Sequence, residues 1–256
     1  MSTKGSSFHQ HLAKAPIHEA VLHIRSGLDH SKEEKGQPIP FKPSVEEIEK
    51  NGMRFARQIH FREKALPFID VSSDRDEVVG DRFESEDRKW VLQWFRDGGV
   101  ALSRLAPYAS WEEFFGFSKT IFACAIPEAE IFKTRMVGLR YINRFPIASP
   151  DDLFKKFFQP SGDDPGVDGY VRGDFVSLNK FQIPSENATL TIAKNLLRQI
   201  QNGIVSFFGI LDIDVVATPR GISSWEDVWN LVGRLRMLKN NAFFAQFKPE
   251  GLEAFK

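Results

Sequence analysis

The chain has 256 residues, 42% of them hydrophobic and 27% charged, which is enough apolar material for a core and excludes an intrinsically disordered chain. Its 34 basic and 34 acidic residues leave a net charge of +0, so no basic surplus draws the whole protein to nucleic acid or an anionic membrane. No apolar run approaches the roughly 18 residues of a membrane span. The polar start lacks the apolar segment of a signal peptide, and a single cysteine fits a reducing compartment. We therefore expect a cytoplasmic protein without membrane association.

The first elements are predicted from alternation and capping signals. Residues 17–25 alternate as a strand does, with Ala20, Leu22 and Ile24 on one face. Ser44 can cap a short helix, because a glutamate follows three positions later. The sequence before this strand, residues 1–15, is predicted to be a flexible leader, and residues 16–256 one compact domain.

A loop, a meander and a helix are predicted next. Residues 70–81 are charged and poor in apolar side chains, which favours a loop. Residues 83–108 are typical of an antiparallel meander, with a hairpin turn at 97–99 because glycine accepts the positive φ of tight turns. Ser110 begins a helix with acids in its first turn, and Pro127 ends it.

The second half of the chain shows the same kinds of elements. Residues 132–147 predict a long strand, and 204–217 predict the most apolar strand of the chain. On that strand, Val205 shares a face with Leu211 and other apolar residues, and we expect this face to be core. Two further strands are predicted near 171–182 and 188–195, and a last helix over 224–244.

Two helix starts resemble each other. Ser110-Trp111-Glu112-Glu113 and Ser224-Trp225-Glu226-Asp227 each follow a strand-rich stretch. Capping chemistry alone favours this pattern, and a duplication into halves 16–148 and 149–256 is the alternative. The predicted fold class is α+β, a largely antiparallel twisted sheet with the two tryptophan-started helices packed on its apolar face.

The last helix carries an apolar stripe at steps of three and four residues. We interpret this stripe as core, with the polar side of the helix facing solvent. The stripe contains Trp225, Val228, Trp229, Val232, Leu235 and Leu238, and the polar side contains Asn230, Arg234, Arg236 and Lys239.

Motifs of common enzyme classes are absent from the sequence. It contains no glycine-rich phosphate loop, nucleophile elbow or zinc-binding pattern. All 6 histidines lie at or before His60. Cys124 lies among apolar residues, which favours a core position over a reactive thiol. We predict no cofactor and no dedicated metal centre.

Charged residues on two predicted strands form the candidate site. Alternation puts Arg140 and Arg144 on one strand face, and Asp212 and Asp214 on the face opposite the core of the apolar strand. Arg104, from another strand, could join them. Guanidinium groups suit phosphate or carboxylate, so an anion site is one interpretation, and a divalent cation at the two aspartates is a second. Cross-strand ion pairs on a solvated face are the third.

The motifs PIHEAVLHIR (16–25), SRLAPY (103–108) with Trp111 behind it, GLRYINR (138–144) and LDID (211–214) together carry a family resemblance. The pattern Leu235-Arg236-x-x-Lys239-Asn240 fits as well. The chain resembles a sporadically distributed family of uncharacterised bacterial and archaeal proteins of similar length. This resemblance implies a stand-alone cytoplasmic protein, in a mobile-element or defence context, and carries over no catalytic residue.

Two classes of function follow from these observations. The first is a non-enzymatic binding or regulatory protein that recognises a protein partner or a small anionic ligand through an Arg- and Asp-bearing sheet face. The alternative is a metal-dependent enzyme acting on a nucleotide or another phosphorylated substrate, with the aspartates holding the metal. Sequence-specific DNA binding is disfavoured, because the net charge is zero and no helix–turn–helix is evident.

Overall fold

The fold is α+β, as the sequence predicts. The computed structural model describes residues 12–26, 41–62, 76–159 and 175–256, and within them nine strands form one antiparallel sheet. The strands are β1 (Ile17–Ser26), β2 (Met53–Arg62), β3 (Asp76–Ser85), β4 (Trp90–Phe95), β5 (Gly99–Leu105), β6 (Thr134–Ile147), β7 (Val176–Ile183), β8 (Ala188–Gln201) and β9 (Ile204–Ala217). The α-helices are α1 (Val45–Lys50), α2 (Trp111–Ala125), α3 (Trp225–Gln246) and α4 (Pro249–Glu253).

The sheet is built around a central antiparallel pair. Its order is β2-β3-β4-β5-β1-β6-β9-β8-β7, so the first strand of the chain lies beside the sixth. Leu22 of β1 stands opposite Leu102 on one side and Leu139 on the other. Directly opposed residues share a face of the sheet, so these three leucines lie in one layer of the core.

The two sides of this centre repeat one order of elements. On one side, β1 is followed by α1, the meander β2–β5 and α2. On the other, β6 is followed by a π-helical turn at Leu153–Phe157, the meander β7–β9 and α3. This correspondence puts β6 at the beginning of the second half, whereas the sequence placed the boundary after residue 148. The duplication itself stays a prediction.

Apolar alternation produces the core between sheet and helices. Ala20, Leu22 and Ile24 are buried, as predicted. Leu211 is buried too, but Val205 on the same strand is exposed. Helix α3 packs on β6 and β9, and the core of β9 begins only at Gly209, so the start of this strand extends past the covered part of the sheet.

Both long helices begin with the predicted caps. The Ser110 hydroxyl accepts a hydrogen bond from the Glu113 backbone N–H at 3.1 Å. The Ser224 hydroxyl accepts one from the Asp227 N–H at 3.2 Å, and the Asp227 carboxylate accepts one from the Ser224 N–H at 3.0 Å. These caps satisfy amide groups that a helix start otherwise leaves without partners. No helix in the described part of the chain is long and apolar enough to cross a membrane.

Some predicted bounds were wrong. Residues 76–81 belong to β3, not to a loop, because this strand is held by backbone ladders to β2 and β4 and needs few apolar side chains. The strand predicted from residue 132 begins at Thr134, after a 3-10 turn, and β8 continues to Gln201. The predicted leader, except residues 12–15, lies outside the described residues, as do residues 70–75 and 171–174.

Candidate functional site

Four of the five charged residues singled out from the sequence lie on the sheet face away from α3. Arg140 stands directly opposite Asp214 on β9, yet its guanidinium turns to the diagonal neighbour, Asp212. Arg140 Nε donates to Asp212 Oδ1 at 2.9 Å, and its terminal nitrogen donates to Oδ2 at 2.5 Å. For Arg140 and Asp212, the structure therefore shows a cross-strand ion pair, the third of the interpretations drawn from the sequence, after an anion site and a divalent cation site.

The other two residues of this face have different neighbours. The Arg144 guanidinium carbon lies 3.9 Å from the centre of the Phe208 ring, and the group donates to Gln199 Oε1 at 2.7 Å. Burial raises the pKa of Asp214 from 3.8 to about 6, and its Oδ1 is buried without a hydrogen-bond partner. Among the described residues, no group of three or more His, Cys, Asp or Glu side chains is placed to hold a metal ion.

Arg104 lies on the other face of the sheet. It stands opposite Ala20, whose side chain points to the helices, and it is only 6% exposed. Its guanidinium carbon lies 5.2 Å from the centre of the Trp90 ring and a terminal nitrogen lies 3.6 Å from a Glu113 carboxylate oxygen. The structure therefore does not bring Arg104 to the arginines and aspartates of the open face.

A cavity of about 610 Å³ opens on this helix-covered side of the sheet. Five parts of the chain line it: residues 12–15, the first residue of β1, the turn that leads into α2 with the start of that helix, the middle of β6, and one face of α3. We call it the Tyr–Lys pocket. The polar and aromatic side chains that line it include Lys14, Tyr108, Trp111, Glu112, Tyr141, Asn143, Arg236, Lys239 and Asn240.

Lys239 is the unusual residue of the Tyr–Lys pocket. It is only 9% exposed, and its Nζ lies 3.8 Å from the centre of the Tyr141 ring. No carboxylate or carbonyl in the described part of the chain pairs with this ammonium. Burial, with a smaller contribution from the charge of Arg236, lowers the pKa of Lys239 from 10.5 to about 7. An aromatic face attracts a cation but does not replace the share of its hydration that burial removes.

Two phenols lie beside this lysine. The hydroxyl oxygens of Tyr108 and Tyr141 are 3.0 Å apart and share a hydrogen bond. Burial raises the pKa of Tyr108 to about 12 and that of Tyr141 well above its ordinary value, so both hydroxyls keep their protons. One hydroxyl must accept in the shared bond, and its own proton is then free to point elsewhere.

The remaining groups make the Tyr–Lys pocket cationic. Arg236 lies one helical turn before Lys239, with its guanidinium carbon 4.6 Å from the centre of the Trp111 ring. Lys14 is the third basic residue of the lining, and Glu112 is the one acidic residue among its described members. The first turn of α2 borders the same space, and the N-terminal end of a helix favours negative charge. When Lys239 is protonated, three cations face one carboxylate among the described residues of the lining, which favours an anionic occupant.

The sequence interpretation placed Lys239 on the solvent side of the last helix, and this was wrong. The buried face of α3 contains Val228, Val232, Leu235 and Ala242, and Lys239 continues their steps of four, three, four and three residues. A basic residue in register with an apolar stripe was therefore the signal that could have revealed it. Nine pocket residues lie in segments that carry the family resemblance: Ile17, Pro107, Tyr108, Trp111, Tyr141, Asn143, Arg236, Lys239 and Asn240.

No protein-family model matches the chain, and comparisons with curated proteins and with solved structures found no match either. The family resemblance stays a prediction.

Proposed function

We propose that the protein binds a small organic anion in the Tyr–Lys pocket and acts as a binding protein for it. The observation that carries this proposal is the buried ammonium of Lys239, which has the Tyr141 ring as its contact and no anion beside it in the described part of the chain. Burying a charge without a counter-charge costs several kcal/mol, as a rough figure. A carboxylate brought by a ligand would offset that cost.

The lining also indicates what the rest of the ligand is like. Trp111, Phe243 and Phe244 contribute aromatic surface, and the volume of about 610 Å³ is that of a small-molecule site. Arg236 and Lys239 lie one helical turn apart, so both can reach one carboxylate. A planar apolar acid is the ligand class that fits cations at one end and aromatic rings around the body.

The experiment is a calorimetric titration with benzoate, with benzyl alcohol as the neutral analogue and inorganic phosphate as the non-aromatic anion. We expect benzoate to bind best and its affinity to fall at least about tenfold in Lys239→Met, because a charge-assisted contact is lost. The matched control is Arg144→Met, which removes a cation that also lies over an aromatic ring, but on the open sheet face. Equal benzoate affinity in wild type and Lys239→Met would overturn the proposal.

This proposal moves the predicted anion site from the open face to the helix-covered side of the sheet. The metal-dependent alternative has less support, because the guanidinium of Arg140 engages both carboxylate oxygens of Asp212. The cytoplasmic location expected from the sequence is kept as part of the proposal, and so is the setting that the family resemblance implies.

A further inference from the structure

The amine of Lys239 faces the Tyr–Lys pocket, where covalent chemistry with a ligand is feasible. Its Nζ lies over the Tyr141 ring inside the Tyr–Lys pocket, and hydroxyl groups of two tyrosines lie on the same wall. A lysine becomes a nucleophile when burial or a neighbouring cation favours its neutral amine. Both conditions hold here, since Arg236 is one turn away and the pKa of Lys239 is lowered to about 7.

We infer that Lys239 forms a reversible imine with the carbonyl group of a bound oxo-acid or aldehydo-acid. This inference rests on the proposed function and narrows its ligand class from planar acids to acids that also carry a carbonyl group. The pocket supplies one group for each part of such a ligand. Arg236 is placed for the carboxylate, and Lys239 for the carbonyl carbon.

The step balances without an oxidant, a reductant or a metal. The lone pair of the neutral amine forms a bond to the carbonyl carbon as the π bond to oxygen breaks, and one of the two amine protons passes to that oxygen, which gives a carbinolamine. The second amine proton then passes to the same oxygen, the carbon–oxygen bond breaks, and water leaves as the carbon–nitrogen double bond of the imine forms. Water addition reverses the reaction, so the ligand is released unchanged.

The tyrosine pair is placed to assist the proton transfers. Tyr108 and Tyr141 share one hydrogen bond, so one hydroxyl proton is not used in that bond. A phenol whose pKa is raised remains protonated at neutral pH and can donate to a developing alkoxide. Tyr108, which is half-buried, is the member of the pair closer to solvent. We assign it as a positioning and proton-donating residue for the imine step.

The test is reductive trapping with 4-formylbenzoate and sodium cyanoborohydride, followed by peptide mapping. Hydride from the reductant converts the imine to a stable secondary amine, so the modified lysine is identified in the wild-type protein without a variant. We expect Lys239 to be modified at least about tenfold faster than surface lysines such as Lys119, since a buried neutral amine reacts preferentially. Modification of Lys239 no faster than of Lys119 would overturn the inference.

Two variants test the imine itself. Lys239→Arg keeps the positive charge but has no nucleophilic amine, so it should lose the trapped adduct. Lys194→Arg is the matched control, because Lys194 is also buried against an aromatic ring, that of Phe158, but does not line the pocket. Benzoate binding without trapping in wild type contradicts the imine alone, whereas loss of both contradicts the proposed function as well.

Tyr108→Phe tests the assigned proton donor. It should slow trapping at Lys239 by about 10-fold or more, and by a larger factor than it weakens benzoate binding, a split that a purely structural role would not produce. An unchanged trapping rate in this variant would contradict the role of Tyr108. It would not contradict the imine, which is tested by peptide mapping of the trapped wild-type protein.

Discussion

The Nζ of Lys239 lies 3.8 Å from the centre of the Tyr141 ring, where the middle of the sheet meets helix α3. The Tyr141 hydroxyl in turn shares a hydrogen bond with that of Tyr108. A folded core of this size gains nothing in stability from a buried ammonium beside two phenols. Groups that cost stability and line a cavity are typical of binding sites, where function outweighs the cost.

Replacing Lys239 by methionine should stabilise the protein near neutral pH. The folded lysine has a pKa of about 7 against 10.5 when unfolded, so the unfolded chain binds one more proton between those values. The contribution of Lys239 to the free energy of unfolding is therefore most unfavourable below pH 7, and the protein becomes more stable as the pH rises from 7 towards 10.5. Lys239→Met removes that penalty and should raise the free energy of unfolding by about 2 kcal/mol at pH 7, with a smaller gain at pH 9.

Urea unfolding of wild type and variant at both pH values measures this difference. The charged and titratable groups around Lys239 are Arg236 on its own helix, Tyr141 on β6, Tyr108 and Glu112 at the start of α2, and Lys14. They are the same in both proteins, so the difference reports Lys239. A variant that is less stable than wild type at pH 7 would contradict a buried, uncompensated ammonium.

Gly138 should not tolerate a larger side chain. A Cβ at this position would lie 1.4 Å from Nε2 of His23, which stands opposite on β1. Gly138→Ala must displace that half-buried ring, and we expect a loss of about 1–3 kcal/mol. Gly233→Ala is the matched control, since nothing lies within 4 Å of its Cβ position in α3, and it should gain about 0.5–1 kcal/mol.

Thermal or urea unfolding of the two alanine variants checks this contrast. A Gly138→Ala loss that shrinks when His23 is also replaced by alanine would identify the ring as the obstacle, because coupled residues are not additive. An equal loss with or without His23 would mean that the backbone at residue 138, not the contact, sets the cost.

Much of the fold was predictable because its signals are local. Strand alternation placed Leu22 and Leu211 in the core, and Ser110 and Ser224 fixed both helix starts. The candidate site was not predictable in the same way. Alternation assigned Arg140 and Asp212 to the polar face of the sheet, but only the register of β6 and β9 shows that they form an ion pair with each other.

The Tyr–Lys pocket depends on contacts between distant parts of the chain. Tyr108, Tyr141 and Lys239 come from a turn, a strand and a helix, and no spacing within the sequence relates them. Arg104 illustrates the same limit, because the alternation of β5 alone does not say which face of the sheet the helices cover. Tertiary contact decides which polar residues become a site.

Asp214→Asn should stabilise the protein at pH 7 and above. Burial raises the pKa of the folded carboxyl from 3.8 to about 6, and its Oδ1 has no hydrogen-bond partner. Between pH 3.8 and about 6 the folded protein therefore binds one more proton than the unfolded chain does. The free energy of unfolding falls as the pH rises through this range. The asparagine variant avoids this loss, and we expect a gain of about 1 kcal/mol at pH 7.5 after allowance for solvent screening.

The gain from Asp214→Asn should disappear by pH 4, where the wild-type carboxyl is protonated as well. Unfolding curves at pH 4 and pH 7.5 measure the two cases. Asp212→Asn makes a useful comparison, because it breaks the bidentate contact with Arg140 and should destabilise the protein by about 0.2–1 kcal/mol. A loss of stability in Asp214→Asn at pH 7.5 would contradict the assignment.

Trp229 should contribute to stability through the contact between α2 and α3. Its ring is stacked on Trp225 at 5.0 Å and meets Phe115 and Phe122 edge to face at 5.7 and 6.3 Å. Because Trp229 is only half-buried, we expect Trp229→Ala to cost about 2–3 kcal/mol, less than for a fully buried tryptophan. Met237→Ala, at a 61% exposed position of α3, should change stability by less than about 0.5 kcal/mol. Equal effects of the two would mean that the aromatic contact contributes nothing.

The most direct test of the anion site is a crystal structure of the protein soaked in 4-bromobenzoate, with anomalous scattering used to locate the bromine. We predict a bromine peak inside the Tyr–Lys pocket and a carboxylate oxygen within hydrogen-bond distance of Lys239 or Arg236, and no such peak in Lys239→Met crystals. Bromine peaks confined to the open sheet face, around Arg140 and Arg144, would contradict the account.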